Sequence, residues 1–333
     1  IMKILVTGAE GFIGSHLVEA LVKKGYKVKA FILYNSNNSI GWLEQCDEEI
    51  KDNFEVIFGD VRDLNGLSAS IKGCDFIIHL AALISIPFSY ISPQSYVETN
   101  VTGTLNILNV VKNFEVKKMI HTSTSEVYGS AIKVPISEAH PLQPQSPYSA
   151  SKIAADQLSL SFYNSFNTPV TILRPFNTYG PRQSTRAIIP TIITQILNGS
   201  KEINLGSLSP SRDFNYINDT VNGFLKCLEA KNTDGKVINL GSNFEISIAD
   251  LVELIMEITG VDIKVNRDAQ RVRPKNSEVN RLIADNKIAL NLLKWKPNYF
   301  GKSGLKKGLK ATIDWFKINE NLNKYNNFYK YNI

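Results

Sequence analysis

The chain has 333 residues, a mass of 37.2 kDa, 43% hydrophobic and 20% charged residues, the balance of an ordinary globular protein with a full core and room for two lobes, not of a disordered chain. A formal net charge of +6 without a long basic run argues against nucleic acid and suits a small polyanionic ligand. No apolar run approaches a bilayer span, no signal peptide precedes the first strand, and Cys46, Cys74 and Cys227 lack metal-ligand spacing, so the expectation is a cytoplasmic protein without membrane segment, disulfide or metal.

The Ile1-Met2 start suggests initiation at Met2. Residues 2–7 are a short apolar, β-rich run, and Gly8-Ala-Glu-Gly11-Phe12-Ile13-Gly14 follows at once. Ile13, Leu17, Ala20, Leu21 and Lys24 then fall at helical spacing until Gly25, and Val28 to Leu33 reads as a second strand. Strand, glycine turn, helix, strand is a βαβ unit whose glycines let the backbone approach a pyrophosphate at the positive helix end. Cofactor contacts are expected at Gly8, Gly11, Phe12, Ile13 and Gly14.

The end of the second strand is where an acid would hold a free ribose hydroxyl, or an arginine a phosphate on it. Here stand Tyr34, Asn35 and Ser36, with neither signature. Asn35 and Ser36 could bond either group, so NADP stays open, while the lack of an arginine favours NAD. A further strand, Phe54 to Phe58, ends at Asp60, placed to accept from an adenine amino group, with Val61 to pack on the ring. Residues 75–80 form another buried strand in which His79 reads as a core histidine. Leu80, Ala81 and Ala82 leave room for a cofactor to lie close.

A loop with Pro87 and Pro93 leads into a long helix over 94–113. Lys117 to Ser123 is a strand that delivers His121-Thr-Ser-Thr124-Ser125-Glu126 at its carboxyl end, where parallel sheets bind ligands. After a polar loop, Ser-Pro-Tyr148-Ser-Ala-Ser-Lys152 opens a helix. Tyr148 and Lys152 stack one turn apart, and an ammonium there is expected to lower the phenol toward a general base. Val170 to Leu173 is the next strand, ending in Arg174-Pro175-Phe176-Asn177.

Beyond Arg182 the strand-helix alternation loosens into an expected second lobe. Ile188 to Leu197 reads as a helix with Pro190 in its first turn, residues 220–230 as a helix, 236–240 as a strand, and 247–259 as a helix capped by Ser247 and Asp250. Arg212 and Arg273 are the guanidinium forks best suited to a substrate diphosphate. The tail beyond Trp315 lacks periodicity and is expected to be peripheral and partly loose.

These residues resemble the extended short-chain dehydrogenase/reductase family over nearly the whole chain, through Gly8/Gly11/Gly14, Asp60-Val61, Tyr148 to Lys152, Arg174 to Arg182, Arg212-Asp213-Phe214 and Arg273-Pro274. The resemblance implies an α/β fold: a Rossmann doubly wound parallel sheet (1–180 plus 213–245) with a smaller C-terminal α/β lobe for a nucleotide-diphospho-sugar (181–212 plus 246–333). It implies a homodimer built on the helices near 94–113 and 149–165. Cofactor contacts extend to Pro175, and substrate contacts are implied at Ser85, Asn177, Arg182, Pro190, Ile193, Asn204, Arg212 and Arg273.

Within that family, many sugar 4-epimerases have no acid at the place of Glu126. Nucleotide-sugar 4,6-dehydratases carry Thr followed by Asp-Glu or Ser-Glu, and Thr124-Ser125-Glu126 is similar to the Ser-Glu kind of the GDP-mannose enzymes. The Tyr148 motif with Asp156 is more similar to the dTDP-glucose enzymes. The combination resembles N-acetylhexosamine nucleotide 4,6-dehydratases of legionaminic-acid-type pathways. The implied reaction is oxidation at C4, loss of water across C5 and C6, and hydride return to C6, with Thr124, Ser125, Glu126, Tyr148 and Lys152 as its residues. A UDP-glucuronate decarboxylase or a 4-epimerase is the competing reading within the family. A non-catalytic dinucleotide-sensing protein is the competing reading outside it.

Overall fold

The computed structural model describes residues 2–325. In its first half the apolar runs form β1 (Lys3–Thr7), β2 (Lys27–Leu33), β3 (Phe54–Gly59), β4 (Phe76–His79), β5 (Lys118–Thr122) and β6 (Val170–Pro175). The remaining strands are β7 (Asn177–Tyr179), β8 (Glu202–Leu205), β9 (Ser211–Tyr216), β10 (Val237–Leu240), β11 (Glu245–Ser247) and β12 (Lys264–Arg267).

Seven strands make one parallel sheet in the order β3-β2-β1-β4-β5-β6-β10. Ile4, Leu5 and Val6 of β1 have no exposed surface, as expected of a strand covered on both faces. One face meets the Phe12–Lys23 and Ile217–Glu229 helices through Leu17, Leu21, Phe224 and Leu228. The other meets Leu64–Ile71, Gly103–Asn113 and Pro147–Phe166 through Leu67, Ile107, Val111 and Phe162. The strand order reverses between β1 and β4, so the crevice opens at the carboxyl edge there, the usual ligand position of a doubly wound sheet.

The smaller part carries a three-stranded sheet, β11-β9-β7, and a parallel pair, β8 with β12. The expected break at 212/213 falls inside β9, which pairs with β7 and β11 and stays out of the central sheet, whereas β10 joins it. The helix expected over 188–197 forms as Ile188–Leu197, and Ser247 caps Ile248–Thr259 by accepting from the Asp250 amide at 3.1 Å.

The expected long helix begins as Pro93–Tyr96, widens through a π-turn over Val97–Thr102, and continues as Gly103–Asn113. The expectation of a loose tail fails up to residue 325. Gly301–Phe316 is a helix, Asn319–Asn323 follows it, and the buried Tyr325 ring stacks on Trp42 at 5.8 Å and meets Phe316 at 5.0 Å. An aromatic cluster with a partner near the glycine turn anchors the tail, which no local periodicity announces. The residues after 325 lie outside the described residues.

Tyr325→Ala is expected to destabilise the fold by about 3 kcal/mol, the scale for truncating a buried aromatic. A urea midpoint equal to that of the unchanged protein would deny the cluster this role.

Candidate active site

The glycine turn has no room for side chains. Gly8 has φ +68°, and a Cβ there would stand 2.8 Å from the Ala81 nitrogen; one on Gly14 would stand 2.1 Å from the Gly8 oxygen. Gly11 caps the Phe12–Lys23 helix without a side-chain hydrogen bond. The first amides of that helix, at Phe12, Ile13 and Gly14, therefore have no intrahelical acceptor and suit an anion. Ala81 donates to Thr7 Oγ1 at 3.2 Å, which holds the Leu80-Ala81-Ala82 backbone against β1. This cradle fits the pyrophosphate of a dinucleotide.

The loop after β2 departs from expectation. Asn35 spends its side chain on its own turn: the amide nitrogen donates to the Leu33 and Ser39 carbonyls at 3.2 and 2.9 Å, and Oδ1 accepts from Ser39 N–H at 2.9 Å. Tyr34 and Ser36 are exposed. The acid that reaches this strand end is Glu10, whose Oε1 accepts from Leu33 N–H at 3.1 Å. Its only signal in the sequence is an acid between the first two glycines.

Asp60, expected at the adenine, is held by Arg62, whose Nε lies 3.0 Å from each oxygen and whose Nη2 lies 2.6 Å from Oδ2. Two residues apart on one turn, the pair closes on itself. The Val61 side chain is buried against the Gly103–Asn113 helix.

At the end of β5, Thr124 accepts from the Glu126 amide at 3.2 Å and starts a short 3-10 turn that buries Ser125 and Glu126. Ser146 caps the Pro147–Phe166 helix in a reciprocal pair with Ser149, which fixes Tyr148 in the first turn and Lys152 one turn later. Thr124 stands close enough to Tyr148 to favour its ionised form, and the tyrosine ring lies 6.2 Å from that of Tyr96. Lys152 Nζ donates to the Thr122 carbonyl at 2.7 Å.

Both groups are pushed toward their neutral forms. Burial raises the Tyr148 hydroxyl well above its ordinary range, with Thr124 opposing and the Glu126 charge adding. Burial lowers Lys152 to about 8, opposed by Asp156. Burial outweighs the expected acidification of the phenol by the ammonium, whose Nζ donates to the Thr122 carbonyl.

Behind Lys152 lies a group whose role the motif alone did not reveal. Asp156 Oδ2 accepts from Arg174 Nε and Nη2 at 3.0 and 2.8 Å and from Ser123 Oγ at 2.8 Å, and His121 Nε2 stands 3.3 Å from Oδ1. Burial works against this carboxylate, yet His121, Arg174 and Lys152 hold it below the usual range. His79 meets Thr7 Oγ1 at 2.8 Å and Thr104 Oγ1 at 3.1 Å, a core histidine with polar partners. Pro175 ends β6 beside Leu240 and is buried.

Across the cleft, Arg212 and Arg273 converge on one carboxylate, Glu278 Oε1, at 3.2 and 3.7 Å. They line a cavity with Pro87, Asn177, Arg186, Ile188, Leu205, Gly206 and Ser207. Asn177 Oδ1 is buried there without a hydrogen-bond partner. Burial lowers Arg212, while the charges of Glu126 and Glu278 support it, which puts Arg212 in the field of both acids.

The other expected substrate contacts do not line this cavity. Arg182 turns back to the Phe12–Lys23 helix, donating to Ser15 Oγ at 3.2 Å and Glu19 Oε1 at 2.6 Å. Pro190 and Ile193 face the core, and Ile188, Ile189 and Thr191 line the cavity from that helix. Asn204 points outward on β8, and the cavity begins one residue later at Leu205. Ser85 caps Ile86–Ile91, and its carbonyl accepts from Tyr96.

A family model for GDP-mannose 4,6 dehydratase matches residues 5–308. The chain is 32% identical to dTDP-D-glucose 4,6-dehydratase of Homo sapiens, over 98% of this chain and 93% of the relative. A structure of dTDP-glucose 4,6-dehydratase from Bacillus anthracis in complex with NAD superposes with TM-score 0.84 at 29% identity, covering 97% of this chain and 98% of that one. UDP-glucuronic acid 4-epimerase from Bacillus cereus, in complex with UDP-glucuronic acid and NAD, gives TM-score 0.84 at 32% identity over 95% and 99%. Fold, glycine turn, Tyr148/Lys152 helix and these matches agree: the chain belongs to the GDP-mannose 4,6-dehydratase family of nucleotide-sugar enzymes within the extended short-chain dehydrogenases/reductases.

Proposed function

We propose that this chain is a NAD-dependent nucleotide-sugar 4,6-dehydratase. It converts a GDP- or UDP-linked hexose or N-acetylhexosamine to the 4-keto-6-deoxy sugar, and works as a homodimer. The observation that carries the reading is Glu126, a buried acid whose charge acts on both Tyr148 and Arg212. An epimerase has no use for a base at C5; a dehydratase does.

The glycine turn and the helix amides hold the dinucleotide, while Arg212, Arg273 and Asn177 hold the diphospho-sugar. When bound, the nicotinamide supplies the hydride acceptor at C4 and the donor to C6. Tyr148 and Thr124 receive the C4 hydroxyl; the positive charge of an oxidised nicotinamide, when bound, would offset the burial that favours the neutral phenol, so that Tyr148 can take the proton. Lys152 supplies the nearest cation on that helix, and Asp156 and Arg174 fix the elements around it. Once C4 is a ketone, Glu126 takes the C5 proton and returns a proton to the departing C6 hydroxyl, so water leaves and the acid is unchanged; the proton held by Tyr148 balances the one that C5 regains when C6 is reduced, which resets the tyrosine as well. Ser125, buried next to Glu126, shapes the turn that carries it.

Incubation with a panel of UDP-, GDP- and dTDP-sugars is expected to give a product lighter by one water in mass spectrometry. Release of carbon dioxide, or epimers alone, would overturn the assignment. Glu126→Gln should lower turnover by about 10²–10⁴, the range for a lost general base, with NAD affinity by calorimetry unchanged; undiminished dehydration would remove Glu126 from the mechanism.

Lys152→Met should abolish turnover and show how burial taxes the ammonium. A folded-state value near 8, against an ordinary 10.5, means the unfolded chain binds the extra proton between them. The cost to the fold is full below pH 8 and fades as pH rises to 10.5. Thermal denaturation should therefore find the variant gaining most on the unchanged protein at pH 7, with the gap closing toward pH 10; a pH-independent gap would contradict it.

A further inference from the structure

Dinucleotides present the adenosine ribose to the carboxyl end of the second strand, where an acid accepts from its 2′-hydroxyl. That strand ends here at Leu33, followed by Tyr34, Asn35 and Ser36, with no acid of its own. Asn35 is committed to the Ser39 turn. Glu10 instead reaches the strand end from the glycine turn. Its Oε1 accepts from Leu33 N–H at 3.1 Å, and its carbonyl accepts from Trp42 N–H at 3.0 Å. The carboxylate is thus fixed between the pyrophosphate cradle and the loop after β2. Its other oxygen, Oε2, is buried without a hydrogen-bond partner.

The strand end and the loop after it carry no cation of their own; the described lysine that packs on this loop is Lys324, whose Nζ lies 5.6 Å from the centre of the Trp42 ring. No lysine or arginine occurs between residues 30 and 50. Arg62, beyond the neighbouring β3, is gripped by Asp60 at 2.6 Å and faces Glu98 at 3.7 Å. Burial raises Glu10 above the usual carboxylate range, while the Leu33 amide supports the charged form.

We propose that Glu10 is the cofactor-selecting acid of this chain, accepting from the adenosine ribose hydroxyl and excluding a 2′-phosphate by like-charge repulsion. The inference rests on the dinucleotide reading above and specifies it: the second-strand acid has been relocated to the glycine turn. Oε2 has no protein donor, and a turn of the half-buried Glu10 carboxylate about its own axis would present it to the ribose. A phosphate at that place would set a dianion against a carboxylate.

Calorimetric titration of the full chain with ADP-ribose and with 2′-phospho-ADP-ribose tests this without reference to turnover. The unphosphorylated ligand is expected to bind at least about tenfold more tightly, as like-charge juxtaposition demands. Glu10→Gln keeps an oxygen for Leu33 N–H and removes only the charge, so it should shrink that ratio to about threefold or less. Loss of the ratio in Ser36→Ala, at the other side chain of the strand end able to bond the same group, would point away from Glu10. Equal binding by the unchanged protein, a ratio that survives Glu10→Gln, or one that collapses in Ser36→Ala would each overturn the assignment to Glu10 and leave the dehydratase reading standing. Binding of neither ligand would overturn both.

Discussion

A carboxylate with no exposed surface holds the reacting end of this molecule together. Asp156 sits in the long Pro147–Phe166 helix, Arg174 in β6, and Ser123 and His121 at the end of β5, so one side chain ties the helix to both strands. Removing one partner of a buried ion pair strands the other charge and typically costs about 3–5 kcal/mol. Replacing the whole group with apolar residues can cost little, so strength of fold alone does not call for such a device. What it does provide is position: Tyr148 and Lys152 stand on the helix that Asp156 fixes, and Thr124 and Glu126 follow the strand it fixes. Distances between them are set by a bond that none of them makes.

The substrate side is built differently. Arg212 lies on β9 of the small sheet, Arg273 on the loop after β12, and both lean on Glu278. That loop is itself bonded to the approach to the Tyr148 helix: Ser277 Oγ meets Tyr90 Oη at 2.5 Å and donates to the Gln145 carbonyl at 2.5 Å. The loop that carries Arg273 is therefore tied by polar contacts to the segments before the Tyr148 helix, in contrast to the ion pair buried behind it.

Local pattern made much of this legible. The order of strands and helices, the Ile188–Leu197 helix and the Ser247 cap follow from periodicity and capping residues, and the Tyr148/Lys152 pair follows from spacing on one helix. What local pattern does not carry is side-chain commitment. Arg182 looks like a ligand-binding arginine until Glu19 takes it, and Asn35 looks available until Ser39 uses its amide. Asn204 and Leu205 differ by a single residue on a strand, which is the difference between facing out and facing in. Tyr325 gains its place from Trp42, which is remote in sequence. Lys152 has the expected position, but its charge is governed by burial, a property of the whole assembled site.

The shared grip on Glu278 changes what it means for an anion to enter the cleft. The two guanidinium groups do not wait as bare charge; they already have a counter-ion supplied by the chain. On the proposed function, an arriving diphosphate meets arginines that already share a carboxylate, so part of its gain is measured against Glu278. A singly charged visitor with one acceptor group offers little over Glu278, whereas a diphosphate can engage both forks at once. The resting cleft thereby carries its own standard of comparison, against which each ligand is weighed.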